Sequence, residues 1–333
     1  MEEILRRKEG ESLGDYKERL YRNKKDYEIE WEDIGELLGK DQNPDHIRKT
    51  SYGYLERIED EKDLKQFDKS IMIINDIHCP YEREDVLENI RKHANEIKTL
   101  VIGGDLMDCE SISSFPKINR LTLVEELIYT YNFVKKIRKI LDNEQQIIMI
   151  NGNHEERLKM QICKMHEKEL QKFINPNILE MLVDGFTIYE EDKKVKYKGI
   201  ENLIFIPHWY VNIDNKIIVC HPKDFSQVDG KMCEKVSEHF LNKGEKFETI
   251  VFAHTHKYSQ MIVSRRQGTF VVENGCLCKP HDYADCGKLS YTPQDYCYTT
   301  INYNNNEKIN YNNIRVHYLK ELYDKKENYN INL

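Results

Sequence analysis

No apolar stretch in this chain of 333 residues approaches the roughly 20 residues that a membrane-spanning helix needs. That excludes a spanning helix, and Met1-Glu2-Glu3 opens too charged an N-terminus for a secretory signal. Cysteine pairs at C-x-x-C spacing are also missing. The nine cysteines are odd in number and scattered, which argues against a disulfide framework and a zinc ribbon and fits a reducing compartment. The nearest approach to a zinc knot is Cys276-Leu277-Cys278 with His281 and Cys286, for which buried or surface thiols are the simpler reading. An excess of positive charge is lacking too. With 50 basic against 58 acidic residues, net −8, no global field draws the chain to nucleic acid or membrane, and any polyanion site must be local. The expectation is a soluble, cytoplasmic protein with no membrane partner.

What is present is enough apolar residue, 39%, for a large core, in a chain longer than one ordinary domain. One catalytic domain with an appendage is expected. Residues 1–66 carry no strand signal and many charges. Helices are predicted over 12–26 and 31–39, the second with apolar Trp31, Ile34, Leu37 and Leu38 on one face, and a third from Asp45 after Pro44. Two helices joined by a short turn, the second opening with His46, Arg48 and Lys49, resemble a helix-turn-helix and give DNA as a partner. A helical packing appendage fits as well, because Glu56, Glu59, Asp60, Glu61 and Asp63 make the later part of that helix acidic. Residues 59–69 read as a charged linker or an exposed helix end.

From Ile71 onward, strands alternate with helical segments over 85–98 and 121–141, so the first three strands sit in βαβ crossovers and should be parallel. Five apolar runs end in polar groups able to bind metal: Asp76 and His78 after 71–74; Asp105 and Asp108 after 100–102; Asn153 and His154 after 147–150; His221 after 217–220; His254 and His256 after 250–252. Sheets of this kind collect their sites at such carboxyl ends. Residues 155–200, a helix over 156–173 and then a mixed, charged stretch, fall between two of these runs and read as a cap-like insertion. A second, largely antiparallel sheet is expected from Leu203 on, with strands at 260–264 and 269–272 and a last one near 309–316. Tyr283 to Tyr298 could stack on bases, but tyrosines at irregular spacing read better as core and edge-strand residues.

Asp, Asn and His suit divalent transition metals, and there are more of them than one ion can use. Two ions about 3.5–4 Å apart activate water and stabilise the entering and leaving oxygens of phosphoryl displacement. A shared carboxylate must then bridge them, and Asp105 is placed for it, with Gly103 and Gly104 leaving room for close backbone approach.

Asp76-x-His78, Gly104-Asp105-x-x-Asp108, Gly152-Asn153-His154-Glu155, His221 and His254-x-His256 resemble, motif by motif and in order, the calcineurin-like metallophosphoesterase superfamily over roughly residues 70 to 275. The resemblance implies an α/β (α+β) fold in residues 67–333, a two-sheet β-sandwich flanked by helices. It implies that Asp76, His78 and His256 hold one divalent metal ion (Mn, Fe, Zn or Ni), that Asn153, His221 and His254 hold a second, and that Asp105 bridges. His154 would stand on the substrate side as transition-state stabiliser or general acid, oriented by Asp108. Pro222 and Ala253 stand where the family commonly has glycine, and Cys109-Glu110 follows Asp108 where its serine/threonine phosphatases carry an arginine that grips phosphate.

Gly104-Asp105-Leu106-Met107-Asp108 looks closer to the superfamily's DNA-repair nucleases, and Asn274-Gly275-Cys276 resembles its phage-borne members. Arg157 could reach a substrate phosphate or pair with Glu155 or Glu156, and Glu110 and Glu155 would keep the rim acidic. His208 and His281 read as structural. The expected activity is a metal-dependent phosphodiesterase or nuclease acting on a phosphodiester substrate. The alternatives are a phosphomonoesterase for small esters and a DNA-binding protein with a vestigial catalytic domain.

Overall fold

In the computed structural model the described residues are 5–8, 10–39, 43–64, 67–114, 121–164, 168–172, 174–190, 193–264, 268–280 and 294–320. The chain divides into two compact units, Met1–Phe67 and Asp68–Leu333. Unit one holds α1 (Leu13–Arg22), α2 (Trp31–Leu37) and α3 (Pro44–Leu64). Ser12 caps α1 by accepting from the Asp15 N–H, and Glu30 and Asp33 cap α2 reciprocally. Helix α1 stops short of the predicted 26 because the Asn23 amide donates back to the Arg19 carbonyl and a turn follows. Tyr16, Leu20, Tyr21, Ile29, Ile34 and Ile47 form this unit's own core, and the Tyr54 hydroxyl donates to the Gly14 carbonyl. The acids expected to offset the basic start of α3 lie outside the described side chains.

Unit two opens with β1 (Lys69–Ile74), α4 (Val86–His93), β2 (Thr99–Ile102), α5 (Leu123–Ile140) and β3 (Gln146–Ile150). Then come α6 (Glu156–Cys163), α7 (Lys168–Gln171), α8 (Glu180–Asp184), the hairpin β4 (Gly185–Glu190) and β5 (Lys193–Lys198), and β6 (Leu203–Ile206). Strands β7 (Tyr210–Ile213) and β8 (Ile217–Cys220), helix α9 (Lys231–Asn242), β9 (Thr249–Phe252), β10 (Ser259–Ser264), β11 (Thr269–Glu273), β12 (Cys297–Tyr303) and β13 (Ile314–Tyr318) complete it.

One sheet has the order β13-β12-β1-β2-β3-β6 and the other β10-β11-β9-β8-β7. Strands β1, β2 and β3 run parallel, as the crossovers required, and β6 adds to β3 in the same direction. The two-residue period of a strand sorts the side chains into layers. Ile71, Ile73, Val101, Ile150, Val219, Val251 and Val272 face the space between the sheets, while Met72, Ile74, Leu100 and Ile102 face the helical layer of α4 and α5. On the second sheet Ile218, Cys220, Ile250 and Phe252 pack on Met232, Val236 and Phe240 of α9. This is the two-sheet sandwich flanked by helices that the resemblance implied.

The second sheet differs from the antiparallel expectation. Its centre, β11-β9-β8, is parallel, with antiparallel strands only at its edges, because α9 carries the chain across from β8 to β9 as a βαβ unit. Strand β6 belongs to the first sheet. The helix predicted over 156–173 ends at Cys163, and residues 175–199 supply α8 and the hairpin. Phe186 stacks on Tyr197 (4.6 Å between ring centres) and both meet Tyr131 of α5 edge-on, so the hairpin is anchored on the helical layer of the first sheet. Tyr296 and Tyr298 are buried. The rest of the tyrosine-rich stretch through 293, with His281 and Cys286, and the tail beyond 320 lie outside the described residues. Among the described residues no helix is long and apolar enough to cross a membrane.

Candidate metal centre

The strand ends turn sharply. Asp76 (φ 48°), His78 (51°), Asp105 (49°), His254 (97°) and His256 (59°) all occupy left-handed backbone conformations. For a residue with a Cβ this costs about 1–2 kcal/mol and persists only where the surroundings over-determine it. Here the neighbouring loops do so. The Asp76 N–H donates to the Gly104 carbonyl (3.1 Å), those of Ile77 and His78 to the Asp105 carbonyl (2.9 Å each), and that of Cys79 to the Leu106 carbonyl (2.8 Å). Glycine is needed at two contacts: a Cβ on Gly104 would overlap the His221 ring, and one on Gly152 would overlap Asp105.

The laced loops bring the seven expected ligands together. His78 Nε2 lies 3.2 Å from His256 Nε2, 3.8 Å from Asp105 Oδ2 and 3.9 Å from Asp76 Oδ1, and His256 Nε2 is 3.5 Å from the same Asp76 oxygen. On the other side of Asp105, His221 Nε2 stands 3.2 Å from its Oδ2 and 3.1 Å from Asn153 Oδ1, which lies 2.7 Å from His254 Nδ1. Asp105 thus faces both sets.

A second layer fixes the rings. His221 Nδ1 bonds the Gly103 carbonyl (3.0 Å) and His78 Nδ1 bonds Asp108 Oδ1 (2.8 Å), which leaves each Nε2 lone pair for a cation. The Asn75 amide donates to Asp76 Oδ2 (2.8 Å) and in turn accepts from the Asn274 amide (2.5 Å). Cys278 Sγ lies 3.9 Å from His256 Nδ1, and the two join His78 in a further group able to hold a cation, while His281 and Cys286 of the zinc-knot alternative lie outside the described residues.

His154 Nδ1 bonds the Asp108 main-chain carbonyl (2.7 Å) with the Asp108 carboxylate 3.1 Å away, so Asp108 orients two histidines at once. His154 Nε2 is 3.8 Å from Asp105 Oδ2 and 2.9 Å from Arg157 Nη2, while Arg157 Nη1 donates to the Asp108 carbonyl (2.7 Å). Arg157 therefore makes neither of the ion pairs considered for it, and its guanidinium sits against His154. Glu155 corrects the reading of an acidic rim. It is buried and accepts from the N–H groups of Gly152 (2.9 Å), Asp105 (3.2 Å) and Met107 (2.9 Å), tying the His154 loop to the Asp105 loop. Asn75, Asn274 and Glu155 were missed as site residues because their roles lie in contacts to backbone and second-layer groups, which motif spacing does not reveal. Glu110, the other expected rim acid, takes a hydrogen bond from the Tyr81 hydroxyl.

The electrostatics match crowded ionisable groups. Burial pushes the Asp76 and Asp105 carboxyls up, but the facing histidines outweigh it and hold both below the usual carboxylate range. Asp108 is held low in the same way by its two imidazole partners. Burial and then the His221 charge lower His254 to about 4, whereas Asp105 overcomes burial to raise His221 to about 9. Burial, reinforced by Asp105, raises Glu155 to about 7.

The donor set fits divalent cations. Asp76 Oδ1 is buried with no hydrogen-bond partner, yet it faces His78, His221 and His256 Nε2 atoms at 3.5–3.9 Å. An orphaned carboxylate oxygen facing imidazole nitrogens beyond ordinary bonding distance is what ligands of a shared ion leave behind. Asp76, His78 and Asp105 form one cluster able to hold a cation, and Asp105, His221 and His254 form another.

The sequence profile described as Calcineurin-like phosphoesterase matches residues 69–258. The chain belongs to the calcineurin-like phosphoesterase family. This is a family of metal-dependent phosphoester hydrolases, and the clusters lie within the matched region. Residues 2–47 match a second profile, the YonJ N-terminal domain. No curated protein matches the chain. Solved structures to which this calcineurin-like phosphoesterase is similar include a metallophosphoesterase from Sphaerobacter thermophilus (12% identity, 75% of this chain and 88% of that one, TM-score 0.34). A serine/threonine phosphatase from Saccharomyces cerevisiae is similar at 14% identity over 79% and 83% of the two chains, with a TM-score of 0.39. A predicted phosphoesterase from Streptococcus pneumoniae shares 9% identity over 75% and 98%, with a TM-score of 0.27.

Proposed function

We propose that this calcineurin-like phosphoesterase hydrolyses phosphodiesters of the nucleic-acid or nucleotide class with two divalent ions from among Mn, Fe, Zn and Ni. The observation that carries the two-ion reading is the position of Asp105, whose Oδ2 faces His78 Nε2 at 3.8 Å on one side and His221 Nε2 at 3.2 Å on the other. When bound, such a pair of cations activates water and stabilises charge on the attacking and leaving oxygens. The chain's own groups do the rest. Asp108 holds His154 Nδ1, and His154 Nε2 and Arg157 Nη2 converge on one spot beside Asp105. A phosphoryl oxygen arriving there takes the guanidinium donor from His154, whose freed Nε2 then takes up a proton from water, favoured by the facing Asp105 and Asp108 carboxylates over the cost of burial, and donates it to the substrate.

A preference for diesters follows from charge. Among the described residues Arg157 brings a guanidinium to the site and Cys109-Glu110 offers none, so the surroundings suit a singly charged diester better than a monoester dianion. A panel of p-nitrophenyl mono- and diesters with several divalent ions tests this. Faster turnover of bis(p-nitrophenyl) phosphate than of p-nitrophenyl phosphate, with cleavage of DNA in manganese, is expected. Preference for the monoester with no cut in single- or double-stranded DNA overturns it and favours the phosphomonoesterase reading.

For unit one we propose contact with DNA through the start of α3, where His46, Arg48, Lys49 and Tyr52 are exposed. Binding should weaken steeply with salt and disappear when residues 1–67 are removed, while hydrolysis of a small ester persists. Failure of the full chain to shift any duplex at low salt removes this partner.

A further inference from the structure

Next to the second ligand set lies a cavity of about 420 Å³ that shares His221 with the metal centre. The cavity wall and the second ligand set thus meet at His221, whose side chain is buried. The volume is in the range of small-ligand sites, roughly 300–1,000 Å³. Met232 and Val236 of α9 give it an apolar floor, and Trp209 lines one side. The indole is held by stacking on Phe240 (5.4 Å, 26°) and an edge contact with His239 (5.3 Å), so it is an aromatic surface fixed in advance of any ligand.

The rim decides what enters. Its two lysines are already neutralised: Lys223 pairs with Glu156, and Lys235 with Asp224 at 2.8 Å. A second phosphate would meet two carboxylates as well as two ammonium groups, whereas an uncharged ring with donors and acceptors along its edge meets partners of both kinds. Aliphatic groups would leave that polar rim unused.

We propose that this cavity is the subsite for the nucleobase of the substrate, which packs against Trp209 while its phosphate sits at the metal centre. The placement of the phosphate rests on the phosphodiesterase reading above. Base–aromatic contacts contribute about 1–3 kcal/mol each, a factor of roughly 5 to 150 in affinity.

Two measurements test the subsite. The first compares kcat/KM for thymidine 5′-(p-nitrophenyl) phosphate with that for methyl p-nitrophenyl phosphate in the metal-loaded full chain and in Trp209→Leu. The nucleoside ester should be favoured about tenfold or more by the native chain, within the stacking range above, and the ratio should fall toward one in the variant. A native chain that does not distinguish the esters, or a variant with the same ratio, overturns the proposal. The second is independent of turnover. The chain has only two tryptophans, Trp31 and Trp209, so Trp31→Phe leaves Trp209 as the sole indole reporter. Thymidine 5′-monophosphate should change its fluorescence with saturation while methyl phosphate at equal concentration should not, and identical responses contradict the assignment. Absence of diester hydrolysis with a selective thymidine response would overturn the phosphodiesterase reading and keep the subsite.

Discussion

The Asp108 carboxylate bonds His78 at 2.8 Å and lies 3.1 Å from His154 Nδ1, which the Asp108 main-chain carbonyl also holds at 2.7 Å, so a change of that carboxylate should be felt on both sides of the site. Replacing His154 by Gln removes a proton donor that is no metal ligand in this account. Turnover should fall about 10²- to 10⁴-fold with metal content retained. Asp108→Asn should lower turnover too, and in addition weaken the first metal about 10- to 100-fold, since the partner that orients His78 is altered. Metal analysis of both variants after dialysis distinguishes them. An Asp108→Asn protein that keeps full metal affinity would contradict the dual role. Glu155→Gln sets an amide NH2 against backbone N–H groups that a carboxylate had satisfied. It should cost about 1–3 kcal/mol in urea unfolding, and an unchanged midpoint would refute the bracing role. The expected ligands were legible because each ends a short apolar run and all share one coordination chemistry. Glu155 was not: beside His154 it reads as one more surface acid, and only the fold shows three N–H groups converging on it.

Strands β12 and β13 illustrate the same limit one level up. The sequence placed a last strand near 309–316, but the strand that completes the first sheet against β1 is β12, hidden at the end of a tyrosine-rich stretch without clear alternation. There the His317 ring stacks on Tyr298 (4.6 Å) and its Nε2 bonds Thr300 Oγ1 (2.8 Å). Burial, with the nearby His93 and Arg315, lowers His317 from 6.5 to about 4. The unfolded chain therefore takes up this proton first as pH falls. The contribution is complete above pH 6.5, is lost progressively down to about pH 4, and should amount to about 1–2 kcal/mol given the partial exposure of the ring. Urea unfolding at pH 7 and pH 4.5 should lose that much more stability in the native chain than in His317→Gln. Equal losses would deny the histidine this role. The parallel centre of the second sheet was equally hard to read: strands β8 to β11 are short, and the αβ crossover through α9 is plain only once the helix is seen.

At the scale of the molecule, the sandwich was legible because the ligand-bearing strands announce both sheets, and the first sheet's parallel order follows from its crossovers. The hairpin of residues 185–198 was not, since its stacked Phe186 and Tyr197 are ordinary apolar residues in a charged stretch until Tyr131 is found between them. Everything proposed about chemistry depends on Asp105 joining two cation sites. The most direct measurement is the number of manganese ions bound per chain at equilibrium, in the native protein and in Asp105→Asn, with diester hydrolysis followed alongside. The account predicts two ions per native chain, loss of at least one in the variant, and activity abolished by chelator and restored by metal. Binding of a single ion or none, or stoichiometry and activity untouched by Asp105→Asn, would contradict it.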